Sequence, residues 1–403
     1  MKEVISSYRW VIWALCFMAY TGAIVGRLNL PPIAPFIIAD LGLTRTELGL
    51  LVAAFSLPVV LTAMPVGWII DRVGVRKIMV VGQLIVGVFT MSMVFMQSFP
   101  QGFVLRFLAG VGLGFIMPAP TKAVMVWFSK RERATVMGLN QTGVNIGGLV
   151  CAFTLPILAM SFGWRLSFIV TGFISLPMMV LTLILYREQP ATSAGAGAVS
   201  VTDFMTGLRE AVNREVLLVA LSGLCFGMVE FALISYIVLY AKEVLLTTVV
   251  VGGILLATAE GAGAFGKPFF GFLSDKVFRG NRKPSLMLLG CILVVCSTAT
   301  MLMPAKVSLP VFGVLFAVFG LTGIGWGGLN LTFTGEFAGR ERAATAAGFS
   351  LMITLIGCTL GPPIFGCIID TTESYFWAWF FLAVCSTIGT LLISLIRESR
   401  RKM

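Results

Sequence analysis

Gly67-Trp-Ile-Ile-Asp71-Arg72-Val-Gly74-Val-Arg76-Lys77 lies between two long apolar segments of the chain. A related stretch, Gly271-Phe-Leu-Ser-Asp275-Lys276, stands between apolar segments 204 residues later and is followed by Arg282 and Lys283. In each copy an Asp follows a Gly by four residues, and basic residues come next. Such a Gly lets two helices approach closely, the Asp caps or pairs at a helix end, and the basic residues hold the loop in the cytoplasm. The two copies indicate a membrane protein built from two related halves.

The composition also indicates a polytopic membrane protein. Of the 403 residues, 58% are hydrophobic and only 12% are charged, whereas about a quarter of a soluble protein is charged. The net charge of +11 does not indicate nucleic-acid binding, because the basic residues lie in short loops between apolar spans. The chain has no His, and its eight Cys are scattered without CxxC spacing. We therefore predict neither a metal site nor a cofactor.

Twelve apolar spans are long enough to cross the hydrocarbon layer, which takes about 20 residues. Their predicted limits are 10–38, 47–70, 78–97, 102–127, 135–160, 165–186, 216–241, 249–273, 285–304, 309–334, 343–369 and 375–396. The first span has no small-residue cleavage site, so we expect it to remain as the first helix. Alternate loops hold 21 of the 29 Lys and Arg residues, against four in the outer loops. This bias predicts that both termini are cytoplasmic.

The longest loop divides the spans into six plus six. It contains Pro190 and then Ala-Thr-Ser-Ala-Gly-Ala-Gly-Ala, a flexible composition. We predict an N-terminal bundle at 1–190, a cytoplasmic linker at 191–215 and a C-terminal bundle at 216–403. Lys130-Arg-Glu-Arg133 before span 5 matches Gly339-Arg-Glu-Arg342 before span 11. Repeats of this kind place a substrate site between the halves, near mid-membrane.

The paired loop motifs resemble those between helices 2 and 3, and between helices 8 and 9, of the major facilitator superfamily of membrane transporters. The resemblance implies an all-α integral membrane fold with twelve transmembrane helices in two pseudo-symmetric six-helix bundles. It also implies structural or gating roles for the charged residues of the loops: Asp71, Arg72, Arg133, Asp275, Lys276 and Arg342.

Six ionisable residues lie inside the spans, where charge is costly and usually functional: Arg27, Arg106, Lys122, Glu230, Glu260 and Lys267. The segment from Gly26 to Pro35 resembles helix 1 of the anion:cation symporter branch, which implies that Arg27 binds the substrate anion. Tyr20 is seven residues earlier, on nearly the same helix face. The proton sites usual in that branch are missing here, since Gly26 and Phe115 stand near the positions of its Asp and Glu. The alternative for Arg27 is a structural interhelical pair.

Arg106 opens a run that resembles the superfamily's helix 4 signature. We expect a structural role in which Arg106 bonds exposed carbonyls of helix 1. Lys122, further along the same span, either reaches the inner interface or lines the cavity floor.

Lys267-Pro268-Phe-Phe-Gly271 resembles the Arg-Pro-x-x-Gly run of monocarboxylate and oxalate–formate porters, in which the basic residue binds a substrate carboxylate. Lys in place of Arg leaves a point charge and loses bidentate binding. The acidic partner of those families is absent, because Gly263 stands in its place. Glu260 lies two turns before Lys267 on the same face and is the candidate replacement. The alternative is a permanent pair that only neutralises both charges.

Glu230 and Glu260 are the only carboxylates well inside the spans, and a buried carboxylate takes up a proton more readily than an exposed one. We predict that one of them couples transport to protons, with Glu260 favoured because it shares a helix face with Lys267. A sodium site is the alternative.

Neutral polar side chains are candidates to orient the substrate. They are Gln141 and Asn145 in span 5, at i and i+4, and Trp326 and Asn330 in span 10, with Asn140 beside them. Interhelical hydrogen bonding is an equally good interpretation for each.

The sequence therefore predicts a secondary transporter of a small organic anion, a carboxylate, that works by alternating access with proton coupling. We expect a monomer in the cytoplasmic (inner) membrane, with Arg27 and Lys267 facing each other from opposite halves. Two alternatives stay open: an efflux carrier for amphipathic drugs, and a non-transporting sensor with a transporter fold. No catalytic constellation is present, so we do not expect an enzyme.

Overall fold

The computed structural model describes residues 2–129, 132–188, 211–304, 306–338 and 342–397. In these ranges the first half of the chain forms α1 (Lys2–Leu28), α2 (Leu30–Leu41), α3 (Arg45–Val73), α4 (Val75–Ser92), α5 (Phe99–Ile116), α6 (Ala119–Trp127), α7 (Arg133–Phe162) and α8 (Trp164–Leu185). The second half forms α9 (Arg214–Glu243), α10 (Val249–Phe272), α11 (Arg282–Leu302), α12 (Leu309–Gly323), α13 (Gly327–Ala338), α14 (Ala343–Thr372) and α15 (Tyr375–Ser394). Most of the predicted linker lies outside these ranges.

The described residues contain twelve helical segments that are long and apolar enough to cross a membrane. Three of these segments combine two helices each: α1 with α2, α5 with α6, and α12 with α13. All twelve overlap the spans expected from hydropathy, and no strand occurs in the described ranges. The predicted all-α membrane fold is therefore confirmed.

The three interruptions follow from residues that disfavour a continuous helix. Pro31 and Pro32 follow the first interruption at Asn29 and lack the N–H groups that a helix needs there. Pro118 lies at the second, between α5 and α6. The third, between α12 and α13, falls in the glycine-rich run from 323 to 328, and glycine is a poor helix former.

Glycines allow equivalent helices to touch in the two halves. A side chain at Gly110 of α5 would clash with the carbonyl of Phe55 in α3, and one at Gly320 of α12 would clash with the carbonyl of Ala259 in α10. Phe55 and Ala259 are 204 residues apart, the spacing that also separates the two loop motifs. The repeat seen in the loops thus extends to helix packing.

The chain forms two compact units. The first comprises Met1–Ala191 and Ile237–Ala257, and the second comprises Thr192–Tyr236 and Thr258–Met403. Ile237–Ala257 belongs to the bundle that we predicted at 216–403, yet it packs with the first unit. Within that unit Arg45 of α3 pairs with Glu243 of α9 at 3.1 Å, and Gly253 of α10 lies against Pro156 of α7, where a Cβ would approach the proline ring to 2.6 Å.

Candidate functional site

The first candidate site is built around the interruption of the first span at Asn29. In a regular helix the carbonyl of Arg27 would accept a hydrogen bond from the backbone N–H of residue 31. Residue 31 is a proline and has no such group. The break therefore leaves a backbone acceptor deep in the bundle, and a buried acceptor needs another donor.

Arg106 of α5 supplies that donor. Its guanidinium donates to the carbonyls of Gly26 and Arg27, both at 3.0 Å, and to Asn29 Oδ1 at 2.9 Å. Its Nε donates to the carbonyl of Leu51 at 3.3 Å, and the guanidinium carbon lies 4.7 Å from the ring centroid of Phe55. Arg106 is 1% exposed. These contacts tie α5 to α1 and α3, so they hold the broken span in place.

Arg27 is anchored on the neighbouring helix α3. Its Nε and Nη2 atoms donate to Ser56 Oγ at 3.2 and 2.9 Å, and the residue is 9% exposed. Tyr20, 5% exposed on α1, is in electrostatic contact with Arg27. Sequence reasoning missed Ser56, because a single Ser in an apolar span carries no signal that distinguishes it from a packing residue.

The second candidate site lies within the second unit, where α9, α10 and the interruption of span 10 meet. Trp326, at the interruption, donates its indole N–H to Glu230 Oε2 at 3.1 Å. The indole is 2% exposed and packs edge-on against Phe226, with 5.7 Å between ring centroids. Glu230 and Trp326 were predicted separately, and the structure brings them into direct contact.

Glu260 and Lys267 of α10 belong to the same site. The charge of Lys267 is close enough to interact with the charges of Glu230 and Glu260, and the two carboxylates repel each other. Glu260 is 2% exposed, whereas Glu230 and Lys267 are half-buried. The sequence paired Lys267 only with Glu260. The register between α9 and α10, which brings Glu230 to Lys267, is a tertiary feature.

Two glycines set the position of Lys267 against the interruption of span 10. A Cβ at Gly263 would lie 2.8 Å from Ile324 Cγ2, and one at Gly266 would clash with the carbonyl of Leu321. α10 can therefore contact the broken segment closely at two points. Gly263 is one turn before Lys267, and Gly266 is the residue directly before it. Gly263, which stands where related families carry an acidic residue, has a packing role here.

The neutral candidates differ in their surroundings. Asn330 is 1% exposed and donates to Val219 O at 3.2 Å and to Ser222 Oγ at 3.3 Å, while Ser350 lies 3.4 Å from its Oδ1. These bonds join separate helices. They agree with interhelical hydrogen bonding, which was the alternative to substrate orientation for Asn330. On α7, Asn145 is 4% exposed and Gln141 is exposed. Lys122 of α6 is half-buried.

Several loop residues stabilise helix ends. Arg133 donates to the carbonyls of Phe128 and Met125, at the C-terminal end of α6, as basic residues often do. Arg282 pairs with Asp275 and, at 3.1 Å, with Glu336. Arg72, Lys276 and Arg342 are exposed. The side chain of Asp71 lies outside the described part of the structure.

A matching contact in each half ties the repeated loop to the last helix of the same half. Arg76 Nη2 donates to Leu183 O near the end of α8. Lys283 Nζ donates at 2.7 Å to the carbonyls of Ser394 and Ile396 at the end of α15. Both cations satisfy carbonyls that a helix end leaves without partners.

Glu132, in the loop before α7, is held ionised by its neighbours. The hydroxyl of Ser129 donates to it at 2.7 Å, and Arg9 pairs with it at 2.9 Å. The Ser129 hydrogen bond, followed by the backbone N–H of Ser129 and by Arg9, holds the pKa of Glu132 below its ordinary value.

The family model described as "Major Facilitator Superfamily" matches residues 12–362. The chain therefore belongs to this superfamily. The prediction of the family is confirmed, and so is the prediction that the chain is not an enzyme, because the superfamily consists of membrane transporters.

Two curated relatives span nearly the whole chain. A protein of Cupriavidus necator named "Probable sulfoacetate transporter SauU" is 26% identical over 93% of this chain and 90% of its own length. "Membrane sensor protein UhpC" of Salmonella typhimurium is 26% identical over 89% of this chain and 85% of its own length.

Among solved structures, a bacterial homologue of the human lysosomal transporter Spinster, inward-facing and unoccupied, matches with a TM-score of 0.81 and 18% identity. That match covers 96% of this chain and 97% of the other, and it supports the fold.

Proposed function

We propose that this chain is a secondary active transporter of a small organic anion bearing a carboxylate, driven by protons and working by alternating access. The similarity to a probable sulfoacetate transporter supports an anionic substrate, since sulfoacetate carries a carboxylate and a sulfonate. The distribution of Lys and Arg supports a position in the cytoplasmic membrane with both termini inside.

The observation that carries the proposal is the charge of the site on α9 and α10. Two carboxylates, Glu230 and Glu260, interact electrostatically with the ammonium of Lys267. With all three groups ionised this set carries one negative charge, which is costly in a membrane. One proton neutralises the set and leaves the ammonium less strongly held. The ammonium can then attract an anion.

Arg27 is the second proposed anion contact. Away from their ends, the first six predicted spans contain Arg27, Arg106 and Lys122 and no acidic residue. Arg106 donates hydrogen bonds to backbone carbonyls and to Asn29 Oδ1. Arg27 is instead held by the neutral hydroxyl of Ser56. Because the Ser56 hydroxyl is neutral, these two bonds do not neutralise the guanidinium, which can form a charge-assisted bond with a carboxylate.

Glu260 is the group that we propose to bind the proton. The Trp326 indole N–H donates to Glu230 at 3.1 Å and stabilises its ionised form. No such donor to Glu260 is seen among the described residues, and Glu260 is almost fully buried. Proton binding at Glu260 would weaken its hold on Lys267, so proton and anion binding would favour each other, as symport requires.

Glu260→Gln tests this assignment, because it mimics the protonated carboxyl. The full-length variant should exchange labelled sulfoacetate across proteoliposome membranes but lose uphill uptake driven by an imposed pH gradient. Glu230→Gln is the matched control and should retain uphill uptake. A thermal-shift screen of small carboxylates and sulfonates would first identify the best probe. If Glu260→Gln still concentrated the probe under a pH gradient, proton coupling through Glu260 would be wrong.

Ser56→Ala tests the anchoring of Arg27. The guanidinium loses the acceptor of two hydrogen bonds, and buried bonds between membrane helices contribute about 0.6–1.7 kcal/mol. We expect the KM for the anion to rise roughly 3- to 20-fold, with a modest fall in the melting temperature from the lost interhelical bonds. Ser56→Thr keeps the hydroxyl and should restore the KM. Ser235→Ala is the control, because that hydroxyl bonds a carbonyl of its own helix, Phe231 O, at 2.6 Å. An unchanged KM in Ser56→Ala would contradict the anchoring role.

A sensor is the second candidate function, favoured by the similarity to the membrane sensor protein UhpC. A sensor would bind the anion in the thermal-shift screen but would neither exchange nor accumulate it in proteoliposomes. The same wild-type measurement therefore separates the two functions.

A further inference from the structure

Several buried polar side chains of the first unit have no hydrogen-bond partner among the described residues, and four of them are set at seven-residue spacing on two neighbouring helices. These four are Gln83 and Thr90 on α4, and Ser175 and Thr182 on α8. Each is at most 2% exposed, and both polar atoms of the Gln83 amide are affected. In contrast, the hydroxyl of Thr171 on α8 donates to Ser167 O at 2.7 Å and accepts from Asn29 Nδ2 at 2.9 Å. Buried polar groups are seldom left unsatisfied, and ordered water is a common partner.

The four side chains lie along one seam. Gln83 and Thr90 are seven residues apart, as are Ser175 and Thr182, so each pair lies on one face of its helix. Both faces meet α1. A Cβ at Gly26 would lie 3.3 Å from Thr90 Oγ1, and a Cβ at Gly22 would lie 3.8 Å from Ser175 Oγ. Gly22 and Gly26 are one turn apart on α1, so the seam runs along its small-residue face.

The four groups lie at regular intervals along the helix axes. Successive spans alternate in direction, so α1 and α4 run one way and α8 runs the other. With a rise of 1.5 Å per residue, Ser175, Gln83 and Thr182 lie about 6, 10 and 16 Å below Thr90, toward the N-terminal end of α1. The groups therefore alternate between α4 and α8 in steps of about 4–6 Å. These steps are measured along the helix axes, and they are of the order that two hydrogen bonds of about 2.8 Å through one water molecule reach.

We propose that this seam between α1, α4 and α8 holds a file of buried water molecules, one bridging each successive pair of these side chains. Water satisfies both donors and acceptors, which suits an amide beside three hydroxyls. The upper end of the file lies at Gly26, whose carbonyl Arg106 binds from the other side. The file therefore begins at the centre that holds the broken first span.

Apolar substitutions test the proposal, because they should lower the melting temperature if the seam holds water and raise it if the seam is dry. If water occupies the seam, Gln83→Leu, Thr90→Val and Ser175→Ala each remove a bond to it. The melting temperature of the full-length protein should then fall, by several degrees for Gln83→Leu. If the seam is dry, each substitution removes an unsatisfied group and the melting temperature should rise. Thr90→Val and Ser175→Ala are small changes, and they keep the test valid if Gln83→Leu does not fold.

Thr300→Val is the matched control. Thr300 of α11 is 1% exposed, but its hydroxyl already bonds Cys296 O at 2.8 Å. The change in melting temperature of Thr300→Val shows the effect of losing a hydrogen bond within the protein. The fall in melting temperature of Thr90→Val is compared with it. Cryo-electron microscopy of the wild-type protein in nanodiscs, at a resolution that shows ordered water, should reveal density between the four side chains. A rise in melting temperature, or side chains bonded directly to protein with no water between them, would overturn the proposal.

Discussion

Arg106→Leu should strongly destabilise the first helical bundle. The substitution removes the donors that Arg106 supplies to the interrupted first span, and leucine offers the carbonyls of Gly26 and Arg27 no replacement. Four hydrogen bonds of about 0.6–1.7 kcal/mol each are lost, so the free energy of unfolding should fall by about 3 kcal/mol or more. Thermal or denaturant unfolding in detergent, together with the yield of folded protein, measures this effect.

Arg106→Lys should give an intermediate result, because an ammonium cannot match the planar fork of donors. The control is Arg165→Gln. That side chain is 42% exposed in its pair with Asp40, and such exposed pairs contribute little to stability. A normal melting temperature in Arg106→Leu combined with loss of transport would contradict the structural role and would make Arg106 an anion contact instead.

Arg27→Ala and Lys267→Ala should each abolish anion uptake while the protein folds and inserts normally. Under the proposed function, each variant loses a charged contact to the substrate in a partly dehydrated site. Such contacts contribute about 2–5 kcal/mol, which corresponds to a loss of affinity of roughly 30- to 5000-fold. Uptake and exchange of sulfoacetate in proteoliposomes, with the melting temperature measured on the same samples, separate loss of binding from loss of fold.

Lys267→Arg is the conservative variant, and it should retain some activity because it restores the residue found in the related porters. Lys242→Ala is a suitable control, since Lys242 is exposed near the end of α9 and has no predicted role in the site. Normal transport by both Arg27→Ala and Lys267→Ala would show that the anion binds elsewhere, and the carboxylate hypothesis would fail.

Much of the candidate site could be anticipated because charge inside a membrane is rare and costly. That rule alone selects Arg27, Arg106, Glu230, Glu260 and Lys267 from the sequence. The rule says nothing about which of these groups meet. The contact of Glu230 with Trp326 and its proximity to Lys267 depend on the register of α9 against α10 and the break in span 10, and no local pattern encodes that register.

Neutral partners were harder to anticipate. Ser56 and Gln83 lie in apolar spans where many polar residues merely pack. A hydroxyl becomes an anchor only when a neighbouring helix brings a guanidinium to it. The same holds for the cap that Lys283 forms on α15, because the two groups are 111 residues apart in the chain.

The sequence by itself determined the class of protein, the number of spans and the repeat that relates the two halves. These properties depend on apolar length, on the distribution of Lys and Arg and on the spacing of glycines, and each can be read along the chain because the bilayer imposes it locally. Tertiary structure alone decided which partner each buried polar group has. Hydrogen bonds and ion pairs act over about 3 Å, so the partners depend on how separate helices pack rather than on their order in the chain.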